Sequence, residues 1–437
     1  MSGVEIGLAA VAMLLATVYL GMHIGVALIL TSFAAVALLK DPAIAARMAA
    51  AAAGDSLREY VFGVVPLFVL MGLLVSVSGV GRDTFDVFEW LLRKVRGGLG
   101  VATVGANAVF AAITGISIAS ASVFTKVAVP EMIRHGYAPS FAVGVVAGSS
   151  VLGMLIPPSL LMIIYGVLAE ESVGRMFLAG VVPGLLLALA FCAMIVAMVR
   201  FRPHLVLVSE GAPSLAAHET TGSALRKAVP IAALIVLVLG GLYAGFFTAT
   251  EAGAVGAAGA LAIALARRRL DGPRLWRVLV ETGHITVSVL FLVLAASLYS
   301  RMLALTGLPG SIASSMTAWG LGPTGFLIAY VAIVVLLGCI IDSVSIMLIM
   351  LPIVLPIVRE FGMDLIWFGV VTVVAVEIGL LTPPFGISVY TVKSALDDRS
   401  IGVRTIFAGA FPFVLCMMAV LAVLIAFPSL STWLARM

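Results

Sequence analysis

Between Gly136 and Ala169 there is no Asp, Glu, Lys, Arg or His. Such a stretch suits hydrocarbon, where about 20 apolar residues make one helical crossing. Similar stretches recur from one end of the chain to the other. Of 437 residues, 62% are hydrophobic and 11% charged, with a mean hydropathy of +1.23. A soluble domain carries about 25% charged residues. In lipid every backbone amide must be satisfied internally, and long apolar runs do so as helices. The chain reads as an all-α polytopic membrane protein in a lipid bilayer, without a soluble domain. Its start, "MSGVEIGLAAVAMLLATVYL", lacks a basic n-region and carries Glu5, so it is expected to be a retained first helix rather than a cleaved signal. Cys192, Cys339 and Cys416 lie in apolar spans, which argues against a disulfide framework. The net charge of +4 is small and fits basic cytoplasmic loops better than nucleic-acid binding.

The expected spans are 4–20, 22–39, 60–79, 98–133, 138–169, 174–199, 226–247, 249–266, 284–305, 321–358, 364–396 and 402–428. Residues 98–133 and 321–358 are too long for one crossing. Each holds two apolar arms around a small polar centre, "TGISIASAS" (114–122) and "GCIIDSVS" (338–345). Each is expected to be a re-entrant helical hairpin, because irregular backbone at that depth must be buried in protein or face a water-filled cavity.

Basic residues cluster at Arg82, Arg93, Lys94 and Arg96, at Arg200, Arg202, Arg226 and Lys227, in "ARRRLDGPRLWR" (266–277), and at Lys393, Arg399 and Arg404. Placing all four clusters in the cytoplasm puts both termini outside. Hairpin 98–133 then opens from the cytoplasm and hairpin 321–358 from the opposite face, an inverted pair. Amphipathic stretches at 83–95 and 271–281 are read either as interfacial helices or as ordinary cytoplasmic loops. Residues 203–224 are the most polar segment and read as a linker.

The chain contains two Pro-Pro pairs, "GMLIPPSLL" (153–161) and "GLLTPPFGI" (379–387). Gly153/Gly379, Leu155/Leu381 and Pro157/Pro383 share one offset, 383 − 157 = 226, as do Pro130/Pro356 and Gly136/Gly362. In the hairpins, Gly115/Gly338, Ser120/Ser343 and Ser122/Ser345 pair at 338 − 115 = 223, which implies a three-residue indel. Each half therefore reads as hairpin, turn and Pro-Pro-broken span. Paired interruptions in corresponding halves mark transporter sites at the bilayer midplane. Proline removes a donor and frees neighbouring carbonyls, and each unsatisfied group in hydrocarbon costs several kcal/mol. Such oxygens, with Ser and Thr hydroxyls, suit a small hard cation, and half-helix N-termini suit an anion. His23, His135, His204, His218 and His284 are scattered, which argues against transition-metal transport.

Five stretches carry a family resemblance: "RGGLGVATVGANAVFAAITGIS", "VPEMIRHGYAPSFAVGVVAGSSVLGMLIPPSLLMIIYGVL", "MFLAGVVPGLLLAL", "LPIVLPIVREFGMDLIWFGVV" and "EIGLLTPPFGISVY". They resemble the large membrane subunit of tripartite ATP-independent periplasmic (TRAP) transporters, over nearly the whole chain. The resemblance implies an elevator-type importer of organic acids coupled to Na+ in a bacterial or archaeal cytoplasmic (inner) membrane. It also implies two partners, a small membrane subunit of four helices and an extracytoplasmic solute-binding protein. Carried over by position, one cation site involves Gly115, Ser117, Ser120, Ser122, Ser149, Ser150, Gly153 and Pro157. The other involves Asp342, Ser343, Ser345, Gly379, Thr382 and Pro383. Substrate is implied between the tips, at Ser120, Ser122, Ser159, Ser343, Ser345 and Gly386. One departure stands out: the family usually shows "GISGSS" and then an acidic residue, where this chain has "GISIASASVF", with Ile118 at a Gly position and Ser122 near the acidic place.

Single charges read mainly as structural. Glu377 is expected to hydrogen-bond the adjacent unwound backbone, Asp342 either to cap the following helix or to join the ion site, and Glu251 to begin a helix. Lys126 is expected to snorkel and Arg301 to anchor an outer helix end. The run 251–266, rich in Gly and Ala, reads as close helix packing. No catalytic set and no "GxxxxGK[ST]" appears, which argues against an enzyme and against direct ATP drive. The expected division is scaffold 1–97, first transport-unit repeat 98–169, scaffold 170–320, second repeat 321–396 and a final scaffold helix 397–437. A self-sufficient ion-coupled anion transporter or antiporter, needing no binding protein, is the alternative.

Overall fold

A computed structural model describes residues 2–58, 63–95, 97–208 and 220–436. Arg96, the start of the span expected at 60–79, and residues 209–219 of the linker with His218 lie outside the described residues. All named elements among the described residues are helical. By length and composition, 7 helices can cross a membrane, or up to 9 if each of two bent pairs counts as one span.

The chain opens with α1 (Gly3–Tyr19), α2 (Ile24–Leu39), α3 (Pro42–Arg58), α4 (Val64–Val77) and α5 (Val80–Leu92). The first hairpin is α6 (Gly98–Thr114) and α7 (Ser117–Arg134). The first broken span is α8 (Pro139–Ser150), α9 (Leu152–Leu155) and α10 (Leu160–Ala169). Next come α11 (Val173–Phe201), the short α12 (Pro203–Val206), α13 (Thr221–Ile235), a π-helical turn at Val236–Gly240, α14 (Gly241–Tyr243) and α15 (Ala249–Ala266). Then follow α16 (Gly272–Thr306) and α17 (Leu308–Ala318). The second hairpin is α18 (Pro323–Gly338) and α19 (Ser343–Glu360), and the second broken span is α20 (Leu365–Leu380) and α21 (Ile387–Ala395). α22 (Val403–Ala426), α23 (Ser429–Thr432) and a 3-10 turn at Leu434–Arg436 end the chain.

Several elements differ from the sequence reading or decide between its alternatives, and α17 was not expected at all. α3 was not expected, because its Ala-rich run carries Arg47, Asp55 and Arg58 and is not apolar enough to read as a span. Asp41 starts it by accepting the amides of Ala43 and Ile44 at 2.7 and 2.9 Å. The stretch at 271–281 is not a separate interfacial helix. Asp271 caps the chain there and no breaker follows, so it runs on into the 35-residue α16. At about 1.5 Å per residue that helix is roughly 52 Å long, longer than the roughly 30 Å hydrocarbon core. The stretch at 83–95 forms α5, bent 65° from α4. It packs on α6 and α13, and its acidic side chains hold two members of the basic clusters. Asp86 binds Lys227 at 2.6 Å, and Asp83 binds Arg267.

The halves run in register. The return arms α7 and α19 have 18 residues each and start at Ser117 and Ser343, 343 − 117 = 226 apart. α8 and α20 start at Pro139 and Leu365, again 365 − 139 = 226. This corrects the pairing read at offset 223. The length difference lies in the turn, where residues 339–342 stand against 115–116, so Ser343 corresponds to Ser117 rather than to Ser120.

Packing crosses between the halves: α10 packs on α19, and α21 packs on α7. α22 lies along α8, and α11 touches α6, α20 and α22. Around this body stand α2, α3, α4, α15 and α16. Thr248 and Glu251 form a capping box at the start of α15, the helix-start role expected for Glu251. Arg301, expected as an interface anchor, binds Asp55 of α3 at 2.7 Å. Lys126 is exposed.

The α8–α22 contact depends on glycine. A Cβ on Gly409 would lie 1.8 Å from the Ser140 carbonyl oxygen, and one on Gly144 2.2 Å from that of Gly409. Gly409→Val is expected to cost about 1–3 kcal/mol or more by overpacking, read as a lower melting temperature in detergent. Gly310→Val, where nothing lies within 4 Å of the added Cβ, is the control for space. Equal melting of the two variants would contradict this packing.

Candidate functional site

Both broken spans stop where proline stops them. Pro157-Pro158 and Pro383-Pro384 are cis, at equivalent positions. In each half, the first free amide after the pair or its neighbour returns to the hairpin tip. Leu160 N–H donates to the Gly115 carbonyl at 3.2 Å, and Phe385 N–H to the Cys339 carbonyl at 3.1 Å. Among the described residues, the carbonyls of Ile156, Pro157 and Pro158, and of Thr382, Pro383 and Pro384, accept no hydrogen bond. These are the freed oxygens that proline was expected to leave.

Glycine lets each tip meet its break. A Cβ on Gly115 would lie 2.3 Å from the Pro158 carbonyl oxygen, and one on Gly153 3.0 Å from the Ser117 nitrogen. In the second half Gly338 and Gly379 meet backbone to backbone: a Cβ on either would lie 2.7 or 2.5 Å from the other's Cα. The glycines at the implied ion sites therefore sit where tip and break touch.

Around the first contact, Ser117, Ser120, Ser149, Ser150 and Ser159 are all buried. Ser149 donates to the Val145 carbonyl at 2.6 Å and accepts from the Asn107 amide at 2.7 Å. Ser150 donates to the Ala147 carbonyl at 2.8 Å. Ser159 caps α10 by accepting from Met162 N–H at 3.3 Å and donates to the Met154 carbonyl. The Ser120 hydroxyl and the Asn107 Oδ1 have no partner. Sequence reasoning passed over Asn107, whose signal is an amide inside the apolar outward arm α6.

Around the second contact, Asp342 caps α19: it accepts from Val344 and Ser345 N–H, both at 3.1 Å, and from the Ser345 hydroxyl. Of its two expected roles, capping is the one the geometry displays. Thr382 donates to the Ile378 carbonyl at 2.7 Å. Glu377 is 1% exposed and meets the Ser343 hydroxyl at 3.5 Å, rather than unwound backbone as expected, while its Oε2 has no partner. Each half thus keeps unpaired, buried oxygen beside its tip–break contact. Hydroxyls that donate to carbonyls also retain lone pairs. The donor set is hard oxygen throughout, which fits a sodium-sized cation better than a soft metal. No group of three or more His, Cys, Asp or Glu is gathered among the described residues.

A cavity of about 660 Å³ lies between the two tips and α16. Of the implied substrate residues, Ser122 and Ser343 border it; Ser120, Ser159, Ser345 and Gly386 do not. Ser345 borders a neighbouring cavity of about 830 Å³ beside the α1–α2 turn. From α16 the first cavity receives Glu281, His284 and Ser288. Their three- and four-residue spacing puts them on one helix face, but with no partner motif nearby in sequence they did not stand out.

The comparisons agree with this architecture. The sequence profile described as "Tripartite ATP-independent periplasmic transporter, DctM component" matches residues 11–430. The C4-dicarboxylate TRAP transporter large permease protein DctM of Pseudomonas aeruginosa is 36% identical over 378 residues, 86% of each chain. The ectoine TRAP transporter large permease protein TeaC of Halomonas elongata is 29% identical over 85% of each chain. The sialic acid TRAP transporter permease protein SiaT of Haemophilus influenzae is 29% identical over 87% of this chain and 61% of its own length. Among solved structures, the Neisseria gonorrhoeae efflux pump MtrF matches with a TM-score of 0.59 at 14% identity, covering 89% of this chain and 85% of its own. The Alcanivorax borkumensis YdaH transporter matches with a TM-score of 0.54 at 15% identity over 85% of each chain. These two likenesses concern the fold alone. The chain is a membrane-embedded transporter permease rather than an enzyme, and it belongs to the DctM, or large-permease, family of tripartite ATP-independent periplasmic transporters.

Proposed function

We propose that this chain is the large transmembrane subunit of a sodium-coupled importer of small organic acids, working by an elevator mechanism in a bacterial cytoplasmic membrane. The observation that carries this reading is the paired tip–break contact, with unpaired buried oxygens beside each and one cavity between the tips. Residues 98–169 and 321–396 form the moving unit as two inverted repeats. α11 and α22, expected as scaffold, are assigned here to the moving unit, because they pack on α6, α8 and α20. The helices around α16 form the scaffold. Basic clusters in the cytoplasm place both termini outside. The partners are a small membrane subunit and an extracytoplasmic solute-binding protein, as the names of the relatives suggest.

The residues placed to hold sodium are Ser149, Ser150, Asn107 and the Pro157 region in one half, and Ser343, Glu377, Thr382 and the Pro383 region in the other. A bound cation supplies positive charge that offsets the carboxylate cargo. A tenfold sodium gradient contributes roughly 1.4 kcal/mol per ion, and about 100 mV adds roughly 2.3 kcal/mol per net charge. Two sodium ions with a dianion carry no net charge and sustain only about a 100-fold gradient. With a monoanion, the cycle carries net positive charge inward.

Co-purification from native membranes tests the assembly: a stoichiometric small membrane partner is expected. A chain that purifies alone and transports unaided in liposomes would favour the self-sufficient transporter. An inside-negative potential is expected to raise initial uptake; unchanged uptake would exclude net charge movement. Thr382→Ala, Ser150→Ala and Glu377→Gln are expected to raise the half-activating sodium concentration by about tenfold while leaving the melting temperature in choline nearly unchanged. A variant with wild-type sodium activation removes its residue from the site.

A further inference from the structure

The two hairpin tips differ in what their helix starts offer. The N-terminus of α19 is already occupied, because the Asp342 carboxylate takes the amides of Val344 and Ser345 and the Ser345 hydroxyl. The N-terminus of α7 has no such cap. Ile116 offers no side-chain acceptor, and among the described residues the amides of Ser117, Ile118 and Ala119 bond to nothing. All three of these residues border the cavity between the tips. An uncapped helix start carries about half a positive charge and free donors.

A second observation points the same way. Ser117 and Ser388 are each 2% exposed, both border the cavity, and neither hydroxyl makes a hydrogen bond among the described residues. Hydroxyls that face a cavity and have no protein partner are free to donate to a ligand. They flank the free amides of α7, so together they make one acceptor-seeking pocket for one carboxylate.

The rest of the wall does not invite a second carboxylate. Among the described residues no Lys or Arg borders the cavity; its titratable lining is Glu281, Asp342 and His284, and His284 lies three residues from Glu281 on the same face of α16. The lining between them is mostly aliphatic and includes Ile118, which is 50% exposed at the tip. A dianion would set its second charge against aliphatic side chains, or at His284 where the like charge of Glu281 stands one turn away, and burying a poorly paired carboxylate is unfavourable.

We infer that the cavity takes a monocarboxylate with an apolar body, its carboxylate on the α7 start with Ser117 and Ser388 and its body against Ile118, rather than a C4-dicarboxylate. This rests on the organic-acid reading above and narrows it. Ile118, half exposed at the tip and bordering the cavity, is the specificity-determining residue.

The test is thermal unfolding of the purified full chain, with any subunit that co-purifies, in sodium chloride. The probes are 4-methyl-2-oxopentanoate, succinate and ectoine. The branched monoacid is expected to stabilise the protein with an apparent Kd about tenfold or more below that of succinate. Ile118→Ser is expected to reduce that preference about tenfold; the site is half exposed, so the melting temperature without ligand should hold and report intact folding. Succinate stabilising the wild type as well as or better than the monoacid would overturn the inference and leave organic-acid transport standing. Stabilisation by ectoine alone, a zwitterion with one carboxylate, would overturn the apolar-body inference and leave organic-acid transport standing; stabilisation by none of the three would overturn both. A preference unchanged in Ile118→Ser, with folding intact, would remove Ile118 from the role given to it.

Discussion

A helix that stops inside hydrocarbon must give its freed backbone groups partners, and here one hydrogen bond at each break satisfies an amide there. Leu160 N–H reaches the Gly115 carbonyl and Phe385 N–H reaches the Cys339 carbonyl. Each bond ties a proline break to the tip of the hairpin before it. Breaks without those ties would leave donors in a medium that offers none. Glycine at 115, 153, 338 and 379 is what allows the approach, since a single added carbon at any of them would reach within 3.0 Å of backbone. The interaction therefore constrains composition as well as geometry.

The same contacts organise the proposed transport site. Prolines leave carbonyls without donors at both breaks, and unpaired side-chain oxygens of Asn107 and Glu377 are buried nearby. The return arms α7 and α19 share register and length, but the halves do not share chemistry. One keeps an amide–hydroxyl pair, Asn107 with Ser149; the other keeps a carboxylate beside Ser343 and a capping carboxylate at the helix start. That asymmetry gives the cavity one open helix start and one occupied one, on which the proposed cargo class rests. Crossed packing, α10 on α19 and α21 on α7, makes the two halves one body.

Much of this was legible in the sequence. The Pro-Pro pairs, their offset and the polar centres of two over-long spans located both breaks and both tips. The register inside the hairpins was misread because several serines cluster there, at 117, 120 and 122 and at 343 and 345, so Ser120/Ser343 and Ser117/Ser343 both pair as letters. Only helix boundaries choose between them. α3 was missed because its stability comes from Asp41 and from packing on α2 and α16, not from hydropathy. Glu281 and His284 went unnoticed because nothing near them in sequence shares their cavity.

The sequence by itself determined the membrane class, the helical content, the two interruptions and the supply of hard oxygen, because these follow from local composition and from what proline and lipid forbid. Tertiary structure decided which oxygens remain unpaired, which helix start stays open, and which face of α16 closes the cavity. Those outcomes depend on partners 42 residues apart, as for Asn107 and Ser149, or further. No local pattern encodes which of many buried hydroxyls will meet an acceptor and which will be left free.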